Sequence, residues 1–180
     1  MIKISFDDSL DLKSAIPAGA RVGILGCASC ASVFRAGDTE KIEETVALLE
    51  GHCDVVVATS IDSPCDQRVA RYLATTVSRF DEVEVFVVLA CEAGSRSLGA
   101  LLAKRGVTLV TPTKTTGFCV IGTDGKTRRA CLFCDECRFP DRSRLCPVAT
   151  CPVGKADGPC QRRTSERCVV DEEMSCVWLP

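Results

Sequence analysis

Apolar residues come in short blocks over the first 112 positions, each separated from the next by a stretch with helical spacing. The runs RVGILGC (21–27), CDVVVATSI (53–61), EVEVFVVLA (82–90) and VTLVTP (107–112) are close to continuous in apolar character. Strands apolar on both sides belong in a parallel sheet covered on both faces. The intervening stretches repeat at a period near 3.6. DTEKIEETVALLEG puts Ile42, Val46 and Leu49 on one face, with Asp38 as N-cap, acids in the first turn and Gly51 as stop. DQRVARYLATTVSRF puts Val69, Tyr72, Leu73, Val77 and Phe80 on one stripe. SRSLGALLAKRG has Ser95 or Ser97 to cap, Leu98, Leu101 and Leu102 to pack, and Gly106 to end it. Strands alternating with helices predict βαβ units with right-handed crossovers. The expected fold is α/β, a small open parallel sheet of about four strands with flanking helices.

After residue 125 the pattern changes. TDGKTRR (123–129) is polar and turn-like, and beyond it neither period is sustained. The expected division is an α/β domain over 1–125 and a loop-rich, metal-stapled, cysteine-rich domain over 126–180. The chain has 180 residues with 46% hydrophobic content, enough for one ordinary core and a small appendage. Its net charge of −2 supplies no global field for nucleic acid or a membrane surface. No apolar run approaches the ~18 residues of a membrane span, and the first residues are acidic where a signal peptide needs an apolar core. A cytoplasmic protein is expected.

Cysteine usage changes the picture most. Fourteen cysteines are present, and eight of them follow residue 130. In a reducing compartment such clusters bind metal or do redox work more often than they form disulfides. From Cys131 the order is Cys131, Cys134, Cys137, Cys146, Cys151, Cys160, Cys168 and Cys176. The opening C-x2-C-x2-C resembles the start of a ferredoxin run, whose fourth cysteine precedes a proline; Cys146-Pro147 and Cys151-Pro152 both have that pairing. The residues between are Arg, Asp, Gly, Pro and Ser, too polar for a core, so the segment needs a staple. Eight thiols make two four-thiolate sites of open partition. Two [4Fe–4S] clusters are the first expectation, and zinc at one or more sites is the alternative.

Four more cysteines lie at the ends of predicted strands, where open parallel sheets bind ligands. Cys27 and Cys30 follow the first, Cys65 the second and Cys91 the third, a set that would hold a third metal site. Two other readings stand beside this one: small buried core residues, and a thioredoxin-like redox pair in CASC. Nearby helix N-termini are expected to favour thiolates there. Cys53, at the start of a strand, reads as core, Cys119 is ambiguous, and His52, the single histidine, reads as a polar cap.

The basic residues Arg128, Arg129, Arg138, Arg142, Arg144, Arg162, Arg163 and Arg167 would suit a zinc-ribbon reader of nucleic acid. They are interleaved with Asp135, Glu136, Asp141, Glu166, Asp171, Glu172 and Glu173, and stacking aromatics are scarce, so a solvated or partner-docking face is expected instead. GKADGPC lacks the G-K-[ST] ending of a phosphate loop. No catalytic residue is identified: there is no dinucleotide fingerprint and no evident acid–base pair.

CPVATCPVGKADGPC, Cys168 and the closing CVW resemble the cysteine-rich C-terminal domain associated with methylenetetrahydrofolate reductase. The closest likeness is to the small iron–sulfur subunit that accompanies the flavin-containing reductase of acetogens and related anaerobes. GCASCASV and LACEAG resemble that family's N-terminal motifs. Lys155 stands two places later than the family pattern, Phe34 replaces a third cysteine, and Gln161 and Arg162 replace glycines. The resemblance implies a non-catalytic electron-transfer subunit of an oxidoreductase complex in one-carbon metabolism. It implies a flavin-containing TIM-barrel partner and, as donor, a ferredoxin, a nicotinamide dehydrogenase or a heterodisulfide-reductase-like module.

Overall fold

The computed structural model describes residues 1–134, 137, 145–161 and 166–179. The chain forms two compact units, Ile2–Thr116 and Met1 with Gly117–Pro180. In chain order the larger holds β1 (Ile2–Phe6), α1 (Leu12–Ala15), β2 (Arg21–Cys27), α2 (Cys30–Val33), α3 (Thr39–Leu49), β3 (Asp54–Ile61), α4 (Gln67–Ala70), α5 (Leu73–Thr76), β4 (Val85–Leu89), α6 (Glu92–Leu102) and β5 (Thr108–Val110). Next, β6 (Thr113–Ile121) begins in the larger unit and ends in the smaller, which also holds β7 (Thr127–Cys131) and α7 (Pro147–Thr150).

All four expected strands are present in one parallel sheet of order β3-β2-β4-β5. Side chains alternate across it and fill two cores. Val22 and Ile24 of β2, with Val85, Val87 and Leu89 of β4, pack with Leu12, Ile42 and Leu49. Leu25, Phe86 and Val88 pack on the other side with Phe80, Leu98 and Leu102. The central strands β2 and β4 are buried on both faces, which explains their continuous apolar runs. Each fully buried Val or Leu here contributes about 1.5–3 kcal/mol relative to exposure.

Helix α3 forms as the sequence predicts. Asp38 accepts a hydrogen bond from the Lys41 amide at 3.1 Å, and Gly51 follows the helix at φ +72°. Helix α6 is also present, but its start differs. Cys91 is the N-cap, and Ser95 and Ser97 are buried inside the helix. The Glu92 amide donates to the Thr115 hydroxyl at 2.9 Å, so a residue distant in sequence supplies a cap partner.

The single helix expected over 66–80 is broken into α4, α5 and a 3-10 turn at Phe80–Glu82. The hydroxyls of Thr75 and Thr76 both donate to the Tyr72 carbonyl at 2.9 Å. Such side-chain bonds compete with the helical ladder. Val77 is extended and Arg79 is left-handed at φ +60°. Leu73 and Phe80 are buried, whereas Val69 and Tyr72 are exposed, so the stripe is only partly used.

In the smaller unit β6 and β7 form an antiparallel hairpin, with Phe118 opposite Cys131 and Ile121 opposite Thr127. The polar stretch 123–129 supplies its turn: the Gly122 amide donates to the Lys126 carbonyl at 2.9 Å, and Gly125 lies at φ +74°. Helix α7 packs against β7.

Candidate metal centres

The C-terminal ends of β2 and β3 are in register, Gly26 pairing with Ser60 and Cys27 with Ile61, while Gly26 also pairs with Leu89 of β4. The segments leaving these strands therefore emerge on one edge of the larger unit. A tight backbone approach fixes them. A Cβ on Gly26 would stand 2.3 Å from the Gly37 carbonyl oxygen, and one on Gly37 would stand 2.2 Å from that of Leu89. Only hydrogen fits at either position.

Cys27 and Cys91 are buried at this edge, Cys30 is half-buried and Cys65 is exposed. Burial pushes the Cys27 thiol above its ordinary pKa; the Ser29 and Ala31 amides oppose this, and the nearby Cys91 and Cys30 thiols push it further up. The two amides favour the thiolate, but burial outweighs them. Cys65 follows Pro64, which sits against Gly94 in the first turn of α6; a Cβ there would lie 3.1 Å from Pro64. Three thiols therefore gather at the edge, and the fourth is on an adjoining loop with its side chain in solvent.

Sequence reasoning missed a polar group beside them. The Ser29 hydroxyl donates to Asp62 Oδ1, and the Ser63 amide donates to the Ser29 hydroxyl at 3.2 Å. These hydroxyls hold the Asp62 carboxyl below its usual range. The signal was the short polar stretch IDSPCD, read only for its cysteine. His52 is confirmed as a polar tie: its Nε2–H donates to the Ile16 carbonyl at 2.9 Å. Cys53 is half-buried and packs against the core, while Cys119 is buried in the smaller unit.

The other eight cysteines lie in the smaller unit. Cys131 ends β7, and its sulfur accepts a hydrogen bond from the Phe133 amide at 3.3 Å. Phe133 takes a left-handed φ of +55° to make it and rests edge-on against Phe118 at 5.3 Å. Cys134 and Cys137 are exposed, and Cys146 is the N-cap residue of α7. Cys151, Cys160, Cys168 and Cys176 are all half-buried, and all four line one small cavity with Val169, Met174 and Trp178.

No disulfide joins any of the fourteen cysteines, all of which are among the described residues. Among the described residues, no three His, Cys, Asp or Glu side chains converge at metal-ligand distance. The donor set is all sulfur, which suits zinc and iron–sulfur clusters rather than hard cations. Arg138, Arg142, Arg144, Arg162 and Arg163, with Asp135, Glu136 and Asp141, lie outside the described residues. Arg128 is paired with Asp124 at 2.7 Å, so it is a solvated hairpin residue. No helix among the described residues is long and apolar enough to cross a membrane.

No curated protein and no solved structure matches the chain. Residues 111–180 match the family model described as methylene-tetrahydrofolate reductase C terminal. That segment contains all eight clustered cysteines, and its similarity ties this part of the chain to methylenetetrahydrofolate reductase.

Proposed function

We propose that the chain is an electron-transfer subunit that serves a flavin-containing methylenetetrahydrofolate reductase. The observation that carries this reading is the coincidence of the match over residues 111–180 with the eight clustered cysteines and, among the described residues, almost no core. A segment that buries so little must be held by something other than packing. [4Fe–4S] clusters, when bound, supply one-electron chemistry that side chains lack. The residues that would hold them are Cys131, Cys134, Cys137, Cys146, Cys151, Cys160, Cys168 and Cys176, with Cys27, Cys30, Cys65 and Cys91 as a third set.

The chain's own contribution is positioning and tuning. The Phe133 amide at the Cys131 sulfur is the kind of donor that raises a cluster's potential. Val169, Met174 and Trp178 give the cavity lined by the four half-buried cysteines an apolar wall. Cys27 and Cys91 are buried at the strand edge. The flavin partner would be a TIM-barrel reductase, and the donor a ferredoxin, a nicotinamide dehydrogenase or a heterodisulfide-reductase-like protein.

The test is iron, acid-labile sulfide and zinc per chain on anaerobically purified protein. About eight irons with equal sulfide are expected from two clusters, and about twelve if the strand-edge set is also filled. Zinc without iron would overturn electron transfer and leave a zinc-stapled assembly module of the same complex.

A further inference from the structure

We infer that the eight clustered cysteines divide into two separate four-thiolate sites by position: Cys151, Cys160, Cys168 and Cys176 around the apolar cavity, and Cys131, Cys134, Cys137 and Cys146 beside β7. This deepens the proposed function and rests on it for the presence of metal. The sequence alone leaves the partition open, because spacing does not say which thiol closes which site.

The cavity makes the first assignment. Its lining includes four cysteines and none of the other ten. Local backbone geometry explains how four cysteines so far apart in sequence come to line one cavity. The Cys168 amide donates to the Met174 carbonyl at 2.9 Å, and the Cys176 amide donates to the Glu166 carbonyl at 2.8 Å. With the antiparallel bridge between Arg167 and Ser175, these bonds set Cys168 and Cys176 on facing arms of one turn. Cys151 begins another turn, closed by the Gly154 amide on its carbonyl at 3.0 Å. Lys155, held by Asp157 at 2.6 Å, lies close enough to both Cys151 and Cys160 to feel their charge.

Helix α7 separates the two sets. Cys146 is at its N-terminal end and Cys151 at its C-terminal end. At 1.5 Å of rise per residue the two are roughly 7 Å apart along the axis, and Cys151 lines the cavity whereas Cys146 does not. Cys146 instead belongs with Cys131, because α7 packs on β7 and β7 ends at Cys131. Cys134 and Cys137 follow Cys131 at two-residue gaps and complete that set.

Both sites share one chemistry, four thiolates on a thiophilic metal centre, either a [4Fe–4S] cluster or a zinc ion. The cavity has a volume of about 10 Å³, close to the space one water needs. That volume is nearer to an ion than to a cluster. In either case the thiols must turn inward from the wall.

The experiment compares the full chain with Cys160→Ser, Cys168→Ser, Cys134→Ser and the pairs Cys160→Ser/Cys168→Ser and Cys134→Ser/Cys160→Ser. Iron, sulfide and zinc are counted anaerobically, and alkylated thiols are mapped by mass spectrometry. The Cys160 and Cys168 variants should each lose the same single centre, and their pair no more than either alone. The Cys134/Cys160 pair should lose both centres. Whether zinc or iron with sulfide is lost identifies the centre, and either result supports the division. In Cys160→Ser, Cys151, Cys168 and Cys176 should become alkylatable while the other four stay protected. Loss of the same centre from Cys134→Ser and Cys160→Ser, or exposure of all eight thiols by one substitution, would overturn the division while leaving metal binding intact. Wild-type protein with neither iron nor zinc would remove the metal reading and the division with it.

Discussion

Cys53 lies half-buried beside the core, and its sulfur donates to the Leu49 carbonyl at 3.8 Å. Burial raises its thiol above the ordinary value of 9.0, and the Asp54 carboxylate adds to the shift. Unfolding would restore the ordinary value, so the folded chain holds this proton more tightly. The stability it contributes is fully present below pH 9.0 and is lost as pH rises through the raised value. The urea midpoint of the metal-free full chain should therefore fall above that pH, and fall less steeply in Cys53→Ala. Equal slopes would show that this thiol has no such linkage. Cys27 shifts the same way through burial. A thiol kept neutral by burial must give up its proton before it can bind metal.

Helix α6 carries Cys91 at its N-cap and anchors itself through Leu98, which is 1% exposed. Leu98→Ala should destabilise the chain by about 2–5 kcal/mol, the range for a leucine removed from a closed core. Denaturant unfolding measures this; a loss well under 1 kcal/mol would contradict the packing described. The helix itself was legible because Leu98 and Leu102 repeat at helical spacing and Gly106 punctuates the end. Its cap was not, because the partner is Thr115, more than twenty positions later. The four parallel strands were legible because each is apolar on both faces. β6 and β7 were not: Thr113–Ile121 mixes buried and exposed positions, and TRRAC carries two arginines in five residues. The break between α4 and α5 was hidden because Thr75 and Thr76 fit a helical period yet bond back to Tyr72.

Over the whole chain, two kinds of order coexist. The unit Ile2–Thr116 is held by two apolar cores on a parallel sheet. Among the described residues, the unit formed by Met1 and Gly117–Pro180 has few buried apolar side chains, Cys119 and Ala149 among them. Cysteine density announced that difference in the sequence, and the spacing pointed to metal. The assignment of thiols to sites needed the fold, since the four that share a cavity span residues 151 to 176. The match at 111–180 supplies the link to methylenetetrahydrofolate reductase that no side chain here could provide.

Electron transfer from this chain to a flavin reductase, as proposed, is open to direct test. The most direct measurement mixes the chemically reduced protein, freed of excess reductant, with oxidised flavin-containing methylenetetrahydrofolate reductase under anaerobic conditions. The flavin's visible absorption should bleach as the iron–sulfur absorption of the chain returns to its oxidised form. A reduced chain that leaves the flavin oxidised, or a chain with no reducible chromophore, would contradict the account.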